Sequence, residues 1–255
     1  MGLLQAAIAG SAARSSHAHV VGALGSAIVG GEIAEGALLP SDDALTGRFS
    51  VSRTVLREAM KTLAAKGLVR AKAKVGTRVL DRAHWNMFDA DILHWRVEAG
   101  LDENFLLDLA TTRAAIEPAA AALAARRATP ADIARLYAIA DRLGDLNHDR
   151  VSIANVDLEF HLAIAAMSKN PFMQSISSLI EAALAISFKL SSPADDAEKI
   201  RECAVNHRRI VEAIERGDEA ATRQAMLEVI EVGVERTRRA LRQETPWPEP
   251  TMQRR

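Results

Sequence analysis

Asp157 and His161 stand four residues apart in a chain whose second half reads as helix, so both project from one helical face, about 6 Å apart along the axis. His207 lies in a further helical stretch, Asn206-His207-Arg208-Arg209-Ile210, and Arg113 leads Arg113-Ala114-Ala115-Ile116-Glu117-Pro118. An aspartate and two histidines on facing helices can chelate a divalent ion, and a bundle interior is a usual place for that. The planar guanidinium of Arg113 suits a carboxylate ligand, its ordinary alternative being an intrahelical pair with Glu117. Taken alone, an Asp-x-x-x-His pair is more often a helix-surface hydrogen bond. A metal-dependent enzyme is the competing use of these residues. Against it, Glu159 points off the Asp157/His161 face, which leaves the pair without a general base, and no His-Glu-x-x-His occurs.

A second constellation is made of charge. From Arg48 to Arg78 the chain holds nine Lys/Arg and a single acid, Glu58, although its total formal charge is only -1. Residues 1–80 carry ten basic and five acidic side chains; residues 81–255 carry 22 and 28. A basic first third on an acidic remainder points to a nucleic-acid partner for the first part alone. Within the run, Arg53 is suited to bond guanine O6 and N7 together in a major groove, while Ser52 and Thr54 suit phosphate or base contacts beside a helix N-terminus.

Elements must hold these residues in place. At 255 residues two domains are expected. The chain is 49% apolar but only 4% aromatic, and alanine and leucine dominate, as in closely packed helices. The single Cys203 excludes an intramolecular disulfide and is expected to serve as a small buried apolar side chain. The N-terminal apolar run lacks the basic leading region of a signal peptide, and no stretch reaches the roughly 20 apolar residues of a membrane span, so a cytoplasmic protein without a membrane partner is expected.

Residues 1–16 read as a flexible arm. Val20, Val21, Leu24, Ile28 and Val29 recur at helical spacing over 17–30, before Gly30-Gly31. Ser41 opens a second short helix with Asp42 and Asp43 in its first turn, and Ser50 or Val51 opens a third with a buried stripe of Val55, Ala59, Leu63 and Ala64. Leu68 to Val79 reads as a two-stranded hairpin with a basic tip, a wing on a helix-turn-helix. Residues 17–80 then form a winged helix-turn-helix domain and 81–100 an interdomain linker in which Trp85 and Trp95 pack an interface. Helices are expected near 102–126, 130–147, 150–168, 171–190, 195–216 and 218–242, with caps at Thr129-Pro130, Asn170-Pro171, Ser192-Pro193 and Gly217-Asp218. Short connections make this an antiparallel bundle of six or seven helices over 101–242, followed by a disordered tail from 243. The fold class is mainly α.

The run Leu39-Pro40-Ser41-Asp42, Phe49 to Met60, Gly67-Leu68-Val69 and Gly76-Thr77-Arg78-Val79 resembles the GntR family of bacterial transcription regulators over about 60 residues. The resemblance implies DNA contacts by Ser41, Ser52, Arg53, Thr54 and Arg57 on the helices and by Lys72, Lys74 and Gly76 on the wing. Two departures stand out: the wing tip reads Lys74-Val75-Gly76 where many members have Gly-basic-Gly, and Asp43 sits where some relatives place an arginine. Arg113/Glu117, Asp157/His161 and His207 match, in order, the effector-binding FCD domain of the FadR branch. That resemblance implies a zinc-like or nickel-like ion held by Asp157, His161 and His207, with Arg113 meeting an effector carboxylate; Asn155 is expected as a second effector contact. A further histidine ligand would fall 22 positions after His207, where this chain has Val229. Trp85-Asn86 and Asp89-x-Asp91-x-Leu93-x-Trp95 resemble the corresponding stretch of sugar-acid regulators in the family. The resemblance thus implies a homodimeric, ligand-responsive DNA-binding regulator, a repressor in its mode (a metal sensor without organic effector is the alternative), released from a palindromic operator by a small carboxylate.

Overall fold

The computed structural model describes residues 15–100 and 103–244, and the chain divides into two compact units, Met1–Leu101 and Asp102–Arg255. Residues 1–14 of the expected arm and 245–255 of the expected tail lie outside the described residues.

In the first unit, helix α1 (Ser16–Val29) buries Val20, Val21, Leu24, Ile28 and Val29, the stripe that its spacing predicts. Helix α2 (Asp42–Phe49) is capped by Ser41, whose Oγ accepts from Ala44 N at 3.3 Å. Ser50 closes α2 in the left-handed conformation (φ 54°), so the next helix cannot open there. Helix α3 instead spans Arg53–Ala65, with Ser52 as cap accepting from Val55 N at 3.3 Å. The expected start at Ser50 or Val51 is corrected accordingly. So is the buried stripe, which runs through Leu56, Ala59 and Leu63 while Val55 is half-buried and Ala64 exposed. Turning Leu56 inward removes more apolar surface from water than turning Ala64 inward.

Strands β1 (Val69–Lys72) and β2 (Gly76–Val79) pair antiparallel, Val69 opposite Val79 at the buried base and Lys72 opposite Gly76 near the tip. Lys74 (φ 60°) and Gly76 (φ 113°) take the left-handed backbone that turns the hairpin. Leu39 N donates to Thr77 O at 2.8 Å and Val79 N to Ala37 O at 2.9 Å, which ties the segment before α2 onto β2.

Residues 81–98 are not a linker in this structure. A 3₁₀ turn (Arg82–His84) leads into helix α4 (Ala90–Glu98), and Trp85 and Trp95 belong to the first unit's apolar core with Leu24, Leu63 and Ile92. Large aromatic faces gain most from burial, and a bare helix position accommodates one of them: a Cβ on Gly25 would come within 2.2 Å of the Trp95 ring.

The second unit is all helix among the described residues: α5 (Glu103–Arg127), α6 (Pro130–Leu143), α7 (Arg150–Met167), the single turn α8 (Pro171–Gln174), α9 (Ser177–Ser191), α10 (Ala197–Glu215) and α11 (Glu219–Glu244). Thr129 and Asp149 each form a capping box, and Asn170 and Asp196 accept from first-turn amides. The expected 171–190 helix is broken after Gln174, and the last helix runs to Glu244, into the stretch read as tail. Helix α7 packs on α5, α6 and α9, while α10 packs on α5, α6 and α11. The stretch Pro171–Asp195 is long and apolar enough to cross a membrane by composition, contrary to the sequence expectation, yet more than half of its most apolar window is buried in the bundle. A helix surrounded by partners shows such a composition without any membrane.

Candidate functional site

The basic face is built on the N-terminus of α3. No acid lies in that helix's first turn, so nothing within the helix itself offsets its positive dipole end. Arg53, Thr54 and Arg57 are exposed there, and Ser52, whose oxygen accepts the capping bond, still has a hydroxyl that can donate. Lys72, Lys74 and Gly76 are exposed on the wing, and Ser41 at the start of α2. Arg53 is engaged, however: its Nη2 donates to Asp43 Oδ1 at 2.8 Å, with both side chains more than three-quarters exposed. Asp43 is thus more than a departure from pattern, because it competes with any acceptor that approaches Arg53.

The second constellation is buried in the bundle. Arg113, Glu117, Asp157, His161 and His207 are each at most 7% exposed. Arg113 and Glu117, one turn apart on α5, make a two-armed ion pair, with Nη2 donating to Oε2 at 3.4 Å and Nε to Oε1. Glu117 Oε2 also lies 2.6 Å from His161 Nδ1. Asp157 stands between the two rings, with Oδ1 3.1 Å from His207 Nε2 and Oδ2 3.7 Å from His161 Nε2. His207 Nδ1 is 2.8 Å from the Cys203 carbonyl oxygen, which can only accept, so Nδ1 carries a proton.

Charge follows from these contacts. Burial pushes the Asp157 carboxyl up, but His207 above all, then His161 and Arg113, outweigh it and hold the group at about 2. Burial likewise raises Glu117, and Arg113 and His161 bring it down to about 2. Burial lowers His207, whereas Cys203 and Asp157 raise it well above the ordinary histidine range. Two carboxylates therefore stay ionised inside the bundle at neutral pH.

Whether these residues fit a metal ion is answered by their unused atoms. His161 Nε2 and His207 Nε2 are fully buried and make no aligned hydrogen bond, although both are near Asp157. His207 Nδ1 is held from behind by the Cys203 carbonyl, while His161 Nδ1 lies 2.6 Å from a Glu117 oxygen as a close ion-pair contact without an aligned hydrogen bond. This is the arrangement that orients imidazole toward a metal. The donor set fits.

Around this cluster lies a cavity also lined by Lys199, Glu202, Cys203, Asn206, Val229 and Arg236. Val229 does face the site, from α11, without a donor atom. Arg113 and Ser187 border both this cavity and a neighbouring apolar one lined by Leu106, Leu109, Ile186 and Val234. Asn155 is not here. It is exposed, and borders a separate groove with Arg135 and Glu159. Two residues before Asp157 on a helix is about 200° around the axis, which places Asn155 on the opposite face. Sequence reasoning missed Lys199, Glu202, Cys203, Asn206 and Arg236; the spacing of Lys199, Cys203 and His207 at every fourth position on α10 was the signal available.

Residues 17–79 match the bacterial regulatory proteins, gntR family, and residues 108–232 match the FCD domain. The galactonate operon transcriptional repressor of Escherichia coli is 31% identical over 83% of this chain and 92% of its own length. The HTH-type transcriptional regulator LutR of Bacillus subtilis is 31% identical over 78% of this chain and 91% of its own. A solved structure of Lar, which controls expression of the Listeria monocytogenes agr system, shares the fold with a TM-score of 0.62 at 20% identity, over 90% of this chain and 99% of that one.

Proposed function

Because the chain belongs to the GntR family of bacterial regulatory proteins and carries an FCD domain, we propose that it is a cytoplasmic, homodimeric repressor released from a palindromic operator by a small sugar acid. It is a DNA-binding transcription regulator of that family, not an enzyme. The observation that carries the effector reading is Arg113, a buried guanidinium that borders the cavity holding Asp157, His161 and His207. The Lys199, Asn206 and Arg236 side chains on the same lining supply donors for a polyhydroxy carboxylate. Similarity to the galactonate operon repressor supports that effector class. Asp157, His161 and His207 would hold a Zn²⁺- or Ni²⁺-like ion, whose positive charge offers effector oxygens a coordination point. On the DNA side, Ser52, Arg53, Thr54 and Arg57 would enter the major groove and Lys72, Lys74 and Gly76 would meet the backbone or minor groove, with Ser41 on a phosphate.

The test is a thermal-shift screen of aldonates, uronates and small hydroxy acids with and without divalent ions, followed by an operator-binding assay. A true effector stabilises by mass action and weakens operator binding. A hit that survives both Arg113→Ala and His161→Ala unchanged would place the effector elsewhere. The buried Asp157/His cluster also favours a second reading, a metal sensor without organic effector; release by Zn²⁺ or Ni²⁺ alone, insensitive to every acid, would select it.

A further inference from the structure

Helix α11 brings Val229 to the cavity at the place where another imidazole would complete the ligand set, and valine has nothing to offer an ion. One turn before His207, on the same face of α10, stands Cys203, the chain's single cysteine. Its side chain is 9% exposed, and Sγ lies 3.7 Å from His207 Nδ1. Asp157, Cys203 and His207 each present a ligand atom within 4.8 Å of the others. The ring nitrogen nearer Asp157, His207 Nε2, is buried and has no aligned partner, as is His161 Nε2 on the carboxylate's other side.

We propose that Cys203 is a metal ligand, a thiolate that takes the place left empty by Val229 and completes an Asp157, His161, Cys203, His207 donor set. This rests on the reading of the Asp/His cluster as a metal centre. Asp157, Cys203 and His207 form one cluster of ligand atoms, which His161 Nε2 joins through Asp157 Oδ2 at 3.7 Å. With metal–sulfur and metal–nitrogen bonds of about 2.3 and 2.0 Å, neighbouring ligand atoms of a tetrahedral site are roughly 3.3–3.6 Å apart. The 3.1 Å gap between Asp157 and His207 Nε2 is close to that edge; Cys203 Sγ, 3.7 Å from Nδ1 of the same ring, would join it by turning about its Cα–Cβ bond toward Nε2. The chemistry selects the ion. One sulfur, two imidazole nitrogens and one carboxylate oxygen favour zinc, cobalt or nickel and disfavour magnesium or calcium. Binding transfers the thiol proton to solvent, because sulfur ligates as thiolate. The competing role for Cys203 is that of a small apolar side chain filling space beside the His207 ring, and it makes the opposite forecast for each measurement below.

The full chain is stripped of metal with a chelator and titrated with Co²⁺, followed by optical absorption, and then with Zn²⁺ by calorimetry. The expected result is a near-ultraviolet thiolate-to-cobalt charge-transfer band in the wild type that Cys203→Ser abolishes. Zinc affinity in that variant should fall by at least about tenfold, since even groups that merely support a ligand are worth that much. Val229→His in the Cys203→Ser background should restore affinity without the sulfur band, a rescue that a space-filling cysteine does not predict. Cys203→Ala serves the same comparison if the serine variant misfolds. Stoichiometric cobalt binding without a thiolate band, unaltered by Cys203→Ser, overturns the proposal and leaves the Asp/His centre standing. Failure of the wild type to bind either ion overturns both.

Discussion

Arg53 and Asp43 show how one exposed contact can set a reading preference. Their pair is worth little to stability at such exposure, so its effect is on what else Arg53 can touch. Arg53→Ala should cost about 1–3 kcal/mol of specific operator binding, measured by fluorescence anisotropy. Asp43→Asn removes a negative charge from the face proposed to meet DNA and frees the guanidinium, so it should tighten operator binding; weaker binding would mean that Asp43 orients Arg53 for its base. The buried carboxylates have a different signature. Glu117 and Asp157 are depressed to about 2 from ordinary values of 4.5 and 3.8. A depressed folded-state value stabilises above the unfolded one and is lost as pH falls toward the folded one. The unfolding free energy from denaturant titrations should therefore fall between about pH 4.5 and 2, by an amount on the order of 2–3 kcal/mol per group. Glu117→Gln should flatten that slope; an equally steep titration in the variant would assign it to other acids.

Among the elements, α4 has the clearest dependence on its neighbours. Asp89 caps it, accepting from Asp91 N at 3.0 Å and Ile92 N at 3.3 Å, and the same carboxylate holds Lys66 Nζ at 2.7 and 2.8 Å. Asp91 grips Lys66 as well, at 2.7 Å, and Lys66 lies over the Trp95 ring. The pattern Asp89-x-Asp91-x-Leu93-x-Trp95 is thus a clamp from α4 onto the end of α3, followed by an aromatic plug against Gly25. Gly67 combines two requirements, a left-handed φ of 80° and a Cβ position only 2.0 Å from the His84 carbonyl oxygen. Gly25→Ala and Gly67→Ala should each destabilise the first unit by about 2 kcal/mol or more, read by thermal unfolding. A wild-type melting temperature in Gly25→Ala would show that Trp95 can move aside.

At the scale of the whole molecule, the net charge of -1 hides a strongly divided surface. Operator affinity should fall steeply with salt despite the near-neutral total if the basic winged unit is the part that meets phosphates, and replacing both Lys72 and Lys74 by alanine should then reduce the log–log salt slope by about 2. An unaltered slope would remove the wing from the DNA face. The two units also divide the labour of stability. The metal and effector proposed above would belong to the second, so chelation should lower the melting temperature of the bundle and leave the winged unit's transition in place.

Whatever local rules govern was legible in the order of residues. Helical spacing placed α1, the caps at Ser41, Thr129 and Asn170 placed helix starts, and the basic run with its hairpin identified the DNA-reading module, since each signal lies within a few neighbouring residues. Asp157 with His161, and Arg113 with Glu117, were legible for the same reason, one turn apart on one helix. How distant segments meet emerged from the packed fold. It folded residues 81–98 into the first core, because Trp95 finds its seat at Gly25 some seventy positions earlier, and it turned Asn155 away from the cavity. It also drew Cys203 and Val229 to the Asp157 cluster from two other helices. Those placements depend on packing between helices far apart in the chain, and no local period of the sequence encodes them.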